Sequence, residues 1–261
     1  MLRIFFLVCS QLAVGGLALM HLVPAEEIGK GFFRTCASIY LLIWVLVVAG
    51  LDWARPWEFI AFVLFTLLFL AYYASLWIEK LPSSERLLEL TATVGLCAIG
   101  ASALSYSAGG SFTDEALFRI PNFLFSTIAL GAAMTGMLLG HWYLVTPELS
   151  LVPIKRLTGI LVGVLMAQGV LLVFTVWPDI GAVPDSLVPR VQHLLLGYPY
   201  FLLGRALVGL VGTCGLAVLT MWLLQEASTQ AATGFLYTAV LTITVGELIA
   251  RFLFQLTGVP V

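Results

Sequence analysis

An all-α integral membrane fold follows from three observations: the ratio of apolar to charged residues, eight apolar runs of spanning length, and the concentration of prolines and charges between those runs. Of 261 residues, 61% are hydrophobic and 10% charged, and the mean hydropathy is +1.06. A soluble domain carries roughly 25% charged residues, so this chain cannot cover a water-exposed surface. A net charge of −2 offers no general attraction to nucleic acid. Cys9, Cys36, Cys97 and Cys214 fall inside apolar runs without CxxC spacing. That pattern argues against a disulfide framework or a cysteine metal site.

The eight runs are 2–23, 32–51, 57–78, 87–106, 121–145, 154–177, 196–224 and 231–256. Each is long enough to cross about 30 Å of hydrocarbon as a helix. The first is too long for a signal peptide, and His21 and Pro24 follow where small cleavage-site residues would stand, so it counts as a span. The connections PAEEIGK, DWARPWE, EKLPSSER, AGGSFTDEALFRIP, TPELSLVPIKR and PDIGAVPDSLVPRVQH carry most charges and prolines. In AGGSFTDEALFRIP, which holds Asp114 and Glu115, an amphipathic pattern predicts a short surface helix. Trp53, Trp57, Tyr72, Tyr73, Trp77, Trp142, Tyr143, Trp177, Tyr198, Tyr200 and Trp222 lie near span ends and read as interfacial anchors.

An even number of spans puts both termini on one side. Connections after the odd-numbered spans hold Lys30, Arg34, Lys80, Arg86, Lys155 and Arg156, against Arg3, Arg55, Arg119 and Arg190 on the other side. The positive-inside tendency then places the termini outside, on the periplasmic side of a bacterial inner membrane.

The halves resemble each other. SQLAVGG (10–16) matches STIALGA (126–132), and HLVPAEE at His21 matches HWYLVTPEL at His141. LWIEKLPSSE around Trp77 matches MWLLQEASTQ around Trp222. These matches predict a parallel internal repeat, with residues 1–120 and 121–261 as two four-helix bundles related by an axis along the membrane normal.

Two groups of residues carry possible chemistry. His21 and His141 end spans 1 and 5 at matching points of the repeat. An interfacial imidazole serves as part of an aromatic belt, as a hydrogen-bond partner to a quinone carbonyl, or as an axial ligand to b-type haem. Haem ligation would require spans 1 and 5 to meet. His193 lies on the opposite side and pairs with neither. The second group is charged and deep. Arg205 sits about two turns into span 7, and Glu247 about two turns from the end of span 8. Antiparallel neighbours would bring them level. Glu247 and Arg251 share a helix face at i, i+4, and Gln168 and Gln11 lie at similar depth. Such a cluster is a buried lock, or a pocket that handles protons or a quinone headgroup. The sequence has no HExxH, GxSxG or P-loop, and nothing in it points to hydrolysis or phosphoryl transfer.

FLVCSQLAVGGLALM (6–20) and GELIARFLFQ (246–255), together with two four-helix bundles and outside termini, resemble the membrane-anchor subunits of the DMSO-reductase and polysulfide-reductase type, the NrfD-like subunits. That resemblance implies no haem, a quinone pocket in the first bundle and an iron–sulfur partner subunit. It points to Gln11 and His21 as quinone contacts and to Glu247 and Arg251 as core residues. HWYLVTPELSLVPIKRL (141–157) departs from the family pattern. The leading expectation is a quinone-interacting subunit of a respiratory or redox complex, with an iron–sulfur or cytochrome partner. The alternatives are a di-histidine b-type cytochrome using His21 and His141, a structural or assembly subunit, and a secondary transporter.

Overall fold

The computed structural model describes residues 2–48, 55–78, 84–106, 114–146, 148–177 and 184–261. Trp53 and Lys80 lie outside the described residues. The structure is all-α, with no strand among the described residues, and eight of its helices have the length and apolarity to span a membrane. They are α1 (Leu2–Met20), α3 (Lys30–Val48), α4 (Pro56–Ser75), α5 (Ser84–Leu104), α6 (Ala116–Val145), α7 (Val152–Val176), a composite seventh span and α11 (Thr229–Thr257). The seventh span joins α9 (Pro199–Gly204), a π-helical stretch over Arg205–Gly212, and α10 (Thr213–Gln225). Two short helices stand outside the spans: α2 (Ala25–Ile28) and α8 (Val188–Gly197).

Boundaries agree with the hydropathy pattern within a few residues, with instructive exceptions. The surface helix expected around Asp114 and Glu115 is, among the described residues, a turn at Asp114–Glu115 leading straight into α6, which starts five residues before the expected 121 and carries Pro121 inside it; residues 108–113 lie outside the described residues. Glu115 pairs with Arg119 one turn on at 3.1 Å, and Arg119 also donates to the Ala103 carbonyl at 3.3 Å. These contacts hold the early turns although proline removes one backbone donor. The seventh span starts at Pro199, because the preceding residues form α8, which turns Val191 and Leu194 inward. Tyr72 and Tyr143, expected as interfacial anchors, are each 1% exposed. The Tyr143 hydroxyl donates to the Ser150 carbonyl at 2.6 Å, and both rings fill protein interior. Trp57, Trp77, Trp177, Tyr200 and Trp222 do face outward.

The packing centres on α1 and α6, the spans with the largest buried share. They cross at Gly15 and Gly131, where the backbones touch: a Cβ on Gly131 would land on the Gly15 carbonyl. These glycines occupy matching places in SQLAVGG and STIALGA. Packing partners correspond too. α1 packs on α3, α5 and α6, while α6 packs on α7, α11 and α1. The α4–α5 contact has its counterpart in that of α10 with α11, and the α1–α11 contact in that of α6 with α5. Small residues permit such approach because lipid supplies no hydrophobic drive between helices, leaving van der Waals contact to hold them. Tyr40 closes the crossing, its ring against Gly16 and its hydroxyl 2.7 Å from Thr135 Oγ1.

The halves differ in their filling. The first encloses rings: Phe6 on Phe62 at 5.6 Å and Trp44 on Phe65 at 4.6 Å, with the Trp44 indole donating to Thr66 Oγ1 at 2.9 Å. The second encloses charge.

Gly131→Ala should lower the thermal midpoint in detergent, with overpacking worth about 1–3 kcal/mol. Gly163→Ala, where an added Cβ meets nothing within 4 Å, should leave it within error.

Candidate functional site

Four spans converge on the deep cluster. Glu247 of α11 is 0% exposed, and its Oε1 lies 3.1 Å from Arg205 Nη2 and accepts from Gln168 Nε2 at 2.9 Å. Its Oε2 lies 3.5 Å from Arg251 Nη2. Arg251 Nη2 also donates to Asn122 Oδ1 at 2.8 Å and to Ser126 Oγ at 2.6 Å, and Gln168 Nε2 approaches the same Ser126 oxygen at 3.1 Å. The Arg251 guanidinium stacks 4.2 Å from the Phe123 ring centre, an attraction between cation and ring face. The expectation that antiparallel neighbours bring Arg205 level with Glu247, with Gln168 beside them, describes this geometry.

Local backbone explains how Arg205 gets there. It opens the π-helical stretch, whose wider winding shifts the side chains that follow. Gly209 and Gly246 let the two helices touch: a Cβ on Gly209 would sit 2.6 Å from Gly246 Cα and 3.2 Å from Arg205 Nη1. The Arg205 side chain therefore runs along a backbone seam that any larger residue would block.

The cluster is sealed. Arg205, Arg251, Gln168, Ser126, Asn122 and Glu247 are all within 3% of full burial. Its charges do not cancel, since two guanidinium groups share one carboxylate. Nε and Nη1 of both arginines, and Oε1 of Gln168, have no hydrogen-bond partner among the described residues.

The other expected site residues lie elsewhere. Gln11 is fully buried and donates to the Phe123 carbonyl at 3.1 Å, and it forms no hydrogen bond with the charged cluster. His21 is exposed in the turn after α1. His141 is exposed, with Nδ1 3.4 Å from the Tyr237 hydroxyl. Spans 1 and 5 do meet, at glycines deep in the bundle, while both histidines are exposed. Gln11 is nine residues, about 13 Å, from the end of α1, so Gln11 and His21 do not share a headgroup-sized site.

Two further charged groups line the face where the termini lie. Glu58, 3% exposed, pairs with Arg3 at 3.0 Å and accepts from Ser102 and Ser105. Arg3 and Arg55 stack on Tyr106 at 4.9 and 4.5 Å. Glu115 joins Arg119, Arg190 and Ser186. Partial burial opposes ionisation of Glu115, but the bonds from Ser186 and Arg190 and the nearby positive charges outweigh it and hold its carboxyl below the usual range.

Among the described residues, three cavities bear on ligand binding, and none of the three is lined by Gln11, His21, His141, Arg205 or Glu247. One of about 360 Å³ lies between α7 and α10, and one of about 280 Å³ between α7 and the α8–α9 corner. Both are apolar and open outward. The third, about 270 Å³, lies at the face opposite the termini, where α2, α3, α4 and α5 meet. Phe33, Leu76 and Leu88 wall it, Lys30, Glu26 and Glu85 stand around it, and Tyr72 is a lining residue. The Tyr72 hydroxyl is buried and has no partner among the described residues. Sequence reading took Tyr72 for a belt residue, noted Ser126 only as the start of STIALGA, and singled out neither Glu58 nor Asn122. The i, i+4 spacing of Asn122 and Ser126 on an otherwise apolar helix was the available signal.

No family model, curated protein or solved structure matches this chain.

Glu247→Gln would leave two buried guanidinium groups without a counter-charge and should cost about 3–5 kcal/mol of stability. Arg205→Met leaves a balanced Glu247–Arg251 pair and should cost clearly less; thermal melts in one detergent rank the two. Because the Glu115 carboxyl is held low, its contribution is complete above the usual carboxylate range and disappears as pH falls through its depressed value. Glu115→Gln should therefore flatten the acid limb of a stability–pH curve.

Proposed function

We propose that this chain is a quinone-interacting subunit of a bacterial membrane redox complex, lying in the inner membrane with its termini on the periplasmic side. The observation that carries the reading is the cavity at the α2–α5 face. A quinone headgroup is flat and apolar, with two carbonyl oxygens that accept hydrogen bonds. The cavity supplies apolar walls, an unspent buried phenol at Tyr72 and an ammonium at Lys30. Glu26 and Glu85 stand where protons released or taken up by the headgroup would exchange with water. An isoprenoid tail would leave into lipid. The mapping differs from the one the sequence invited: Tyr72 and Lys30 take the contact roles first assigned to Gln11, His21 and His141. An iron–sulfur or cytochrome partner would supply the electrons.

A second reading, a scaffold subunit, is favoured by the sealing of the Glu247 cluster, which suits a lock holding α6, α7, the seventh span and α11 together. Under that reading, Glu247 and Arg205 variants alter assembly and leave turnover per assembled complex unchanged.

Purified protein should retain quinone after gentle solubilisation, measured by extraction and mass spectrometry. Tyr72→Phe should weaken binding about 5–10-fold, the loss of one hydrogen bond worth roughly 1 kcal/mol. Quinone binding that ignores Tyr72→Phe and Lys30→Met alike would remove the cavity from consideration.

A further inference from the structure

The sealed cluster in the second half raises a question that the cavity does not answer. Arg205 and Arg251 are 0% and 1% exposed, and the carboxylate paired with them, Glu247, is 0% exposed. Arginine keeps its proton in proteins, so the cluster holds one unbalanced positive charge. Each guanidinium makes its bonds through Nη2 alone. Arg251 Nη2 meets Glu247, Asn122 and Ser126, and Arg205 Nη2 meets Glu247. The Nε and Nη1 groups of both have no partner among the described residues. These two deficits, of charge and of acceptors, sit on the same two side chains.

Bridging waters satisfy donors, but they are neutral and leave the charge unbalanced in a medium of low dielectric. A second carboxylate would satisfy both, yet among the described residues Glu247 is the sole carboxylate in an ion pair with either arginine. We propose that the Arg205–Glu247–Arg251 cluster takes up one small monovalent anion, of the halide or small-carboxylate class, between the unspent guanidinium N–H groups. The anion cancels the residual charge and accepts from Nε or Nη1 of Arg205 and Arg251. Gln168 sets the charge of the ligand. Its Nε2 is committed to Glu247 and Ser126, and its Oε1 projects an unpartnered acceptor that repels a second negative charge. A divalent anion would leave the cluster net negative, so sulfate is disfavoured. Entry requires the seam between the π-helical stretch and α11 at Gly209 and Gly246 to part, since the cluster is closed at rest. Exchange of the anion is therefore slow.

The test is anion-dependent stability of the purified full-length protein at constant ionic strength. Sodium gluconate is the reference, and chloride, bromide, formate, acetate and sulfate are the arms. A saturable rise in melting temperature with chloride and bromide supports a halide. The same rise with formate or acetate and not with halides supports the small-carboxylate source. Arg205→Met removes the excess charge and leaves a balanced pair, so it should fold and lose the anion response, and Arg205→Lys should restore part of it. A flat response in every arm, or an equal response in wild type and Arg205→Met, overturns the proposal. Should Arg205→Met fail to fold, equilibrium dialysis of the wild type against radiolabelled chloride and, separately, formate decides: about one bound anion per chain supports the proposal, and none of either overturns it. Quinone extraction from the same samples reads the α2–α5 cavity independently, so failure of one proposal does not imply failure of the other.

Discussion

A carboxylate held between two guanidinium groups inside hydrocarbon constrains everything around it. The Glu247 cluster draws one residue or more from α6, α7, the seventh span and α11. No one of those helices can rotate or slide without breaking a buried charge contact. Apolar packing between lipid-embedded helices is nearly indifferent to register, because lipid tails are as apolar as leucine. The charged contacts are not indifferent. They specify which turn of α11 faces which turn of the π-helical stretch and of α6, with Arg205 reaching Glu247 beside the Gly209–Gly246 seam.

The second constraint is steric. Gly15 and Gly131 set α1 against α6 at backbone contact, and the other spans arrange themselves around that pair. The two halves answer the need to fill a bundle in opposite ways. The first uses rings, centred on Trp44, Phe62 and Phe65, and keeps its polar groups at the ends, at Glu58 on one face and around Tyr72 on the other. The second keeps its charges deep. This asymmetry separates the two candidate activities: room for an amphipathic headgroup in the first half, and a closed electrostatic centre in the second. The faces differ as well. Arginine, glutamate and tyrosine are networked on the side of the termini, whereas the cavity opens on the other.

Some of this was legible in the sequence. Glu247 and Arg251 stand out because charge in an apolar run is rare and i, i+4 spacing places them on one face. Arg205 could be matched to them by depth, since a helix rises a constant amount per residue. Gln168 followed by the same counting. The same arithmetic failed for Gln11, whose depth is right but whose amide turns to the Phe123 carbonyl, because depth carries no information about azimuth. His21 and His141 drew attention for their chemistry, yet both sit at the surface. Tyr72 escaped notice because an aromatic near a span end looks identical whether it faces lipid or protein.

Composition and hydropathy by themselves determined the class of protein, the number of spans and most of their limits, because insertion into lipid is a property of single segments and depends on local transfer energies. Which helices touch, which way each polar side chain turns, and whether an i, i+4 pair finds a third and fourth partner were decided only in three dimensions. Those outcomes depend on rotation about each helix axis. Rotation is set by close backbone approach at glycine and by buried charges seeking partners from segments far away in the chain: Asn122 and Arg251 stand 129 residues apart and meet at 2.8 Å.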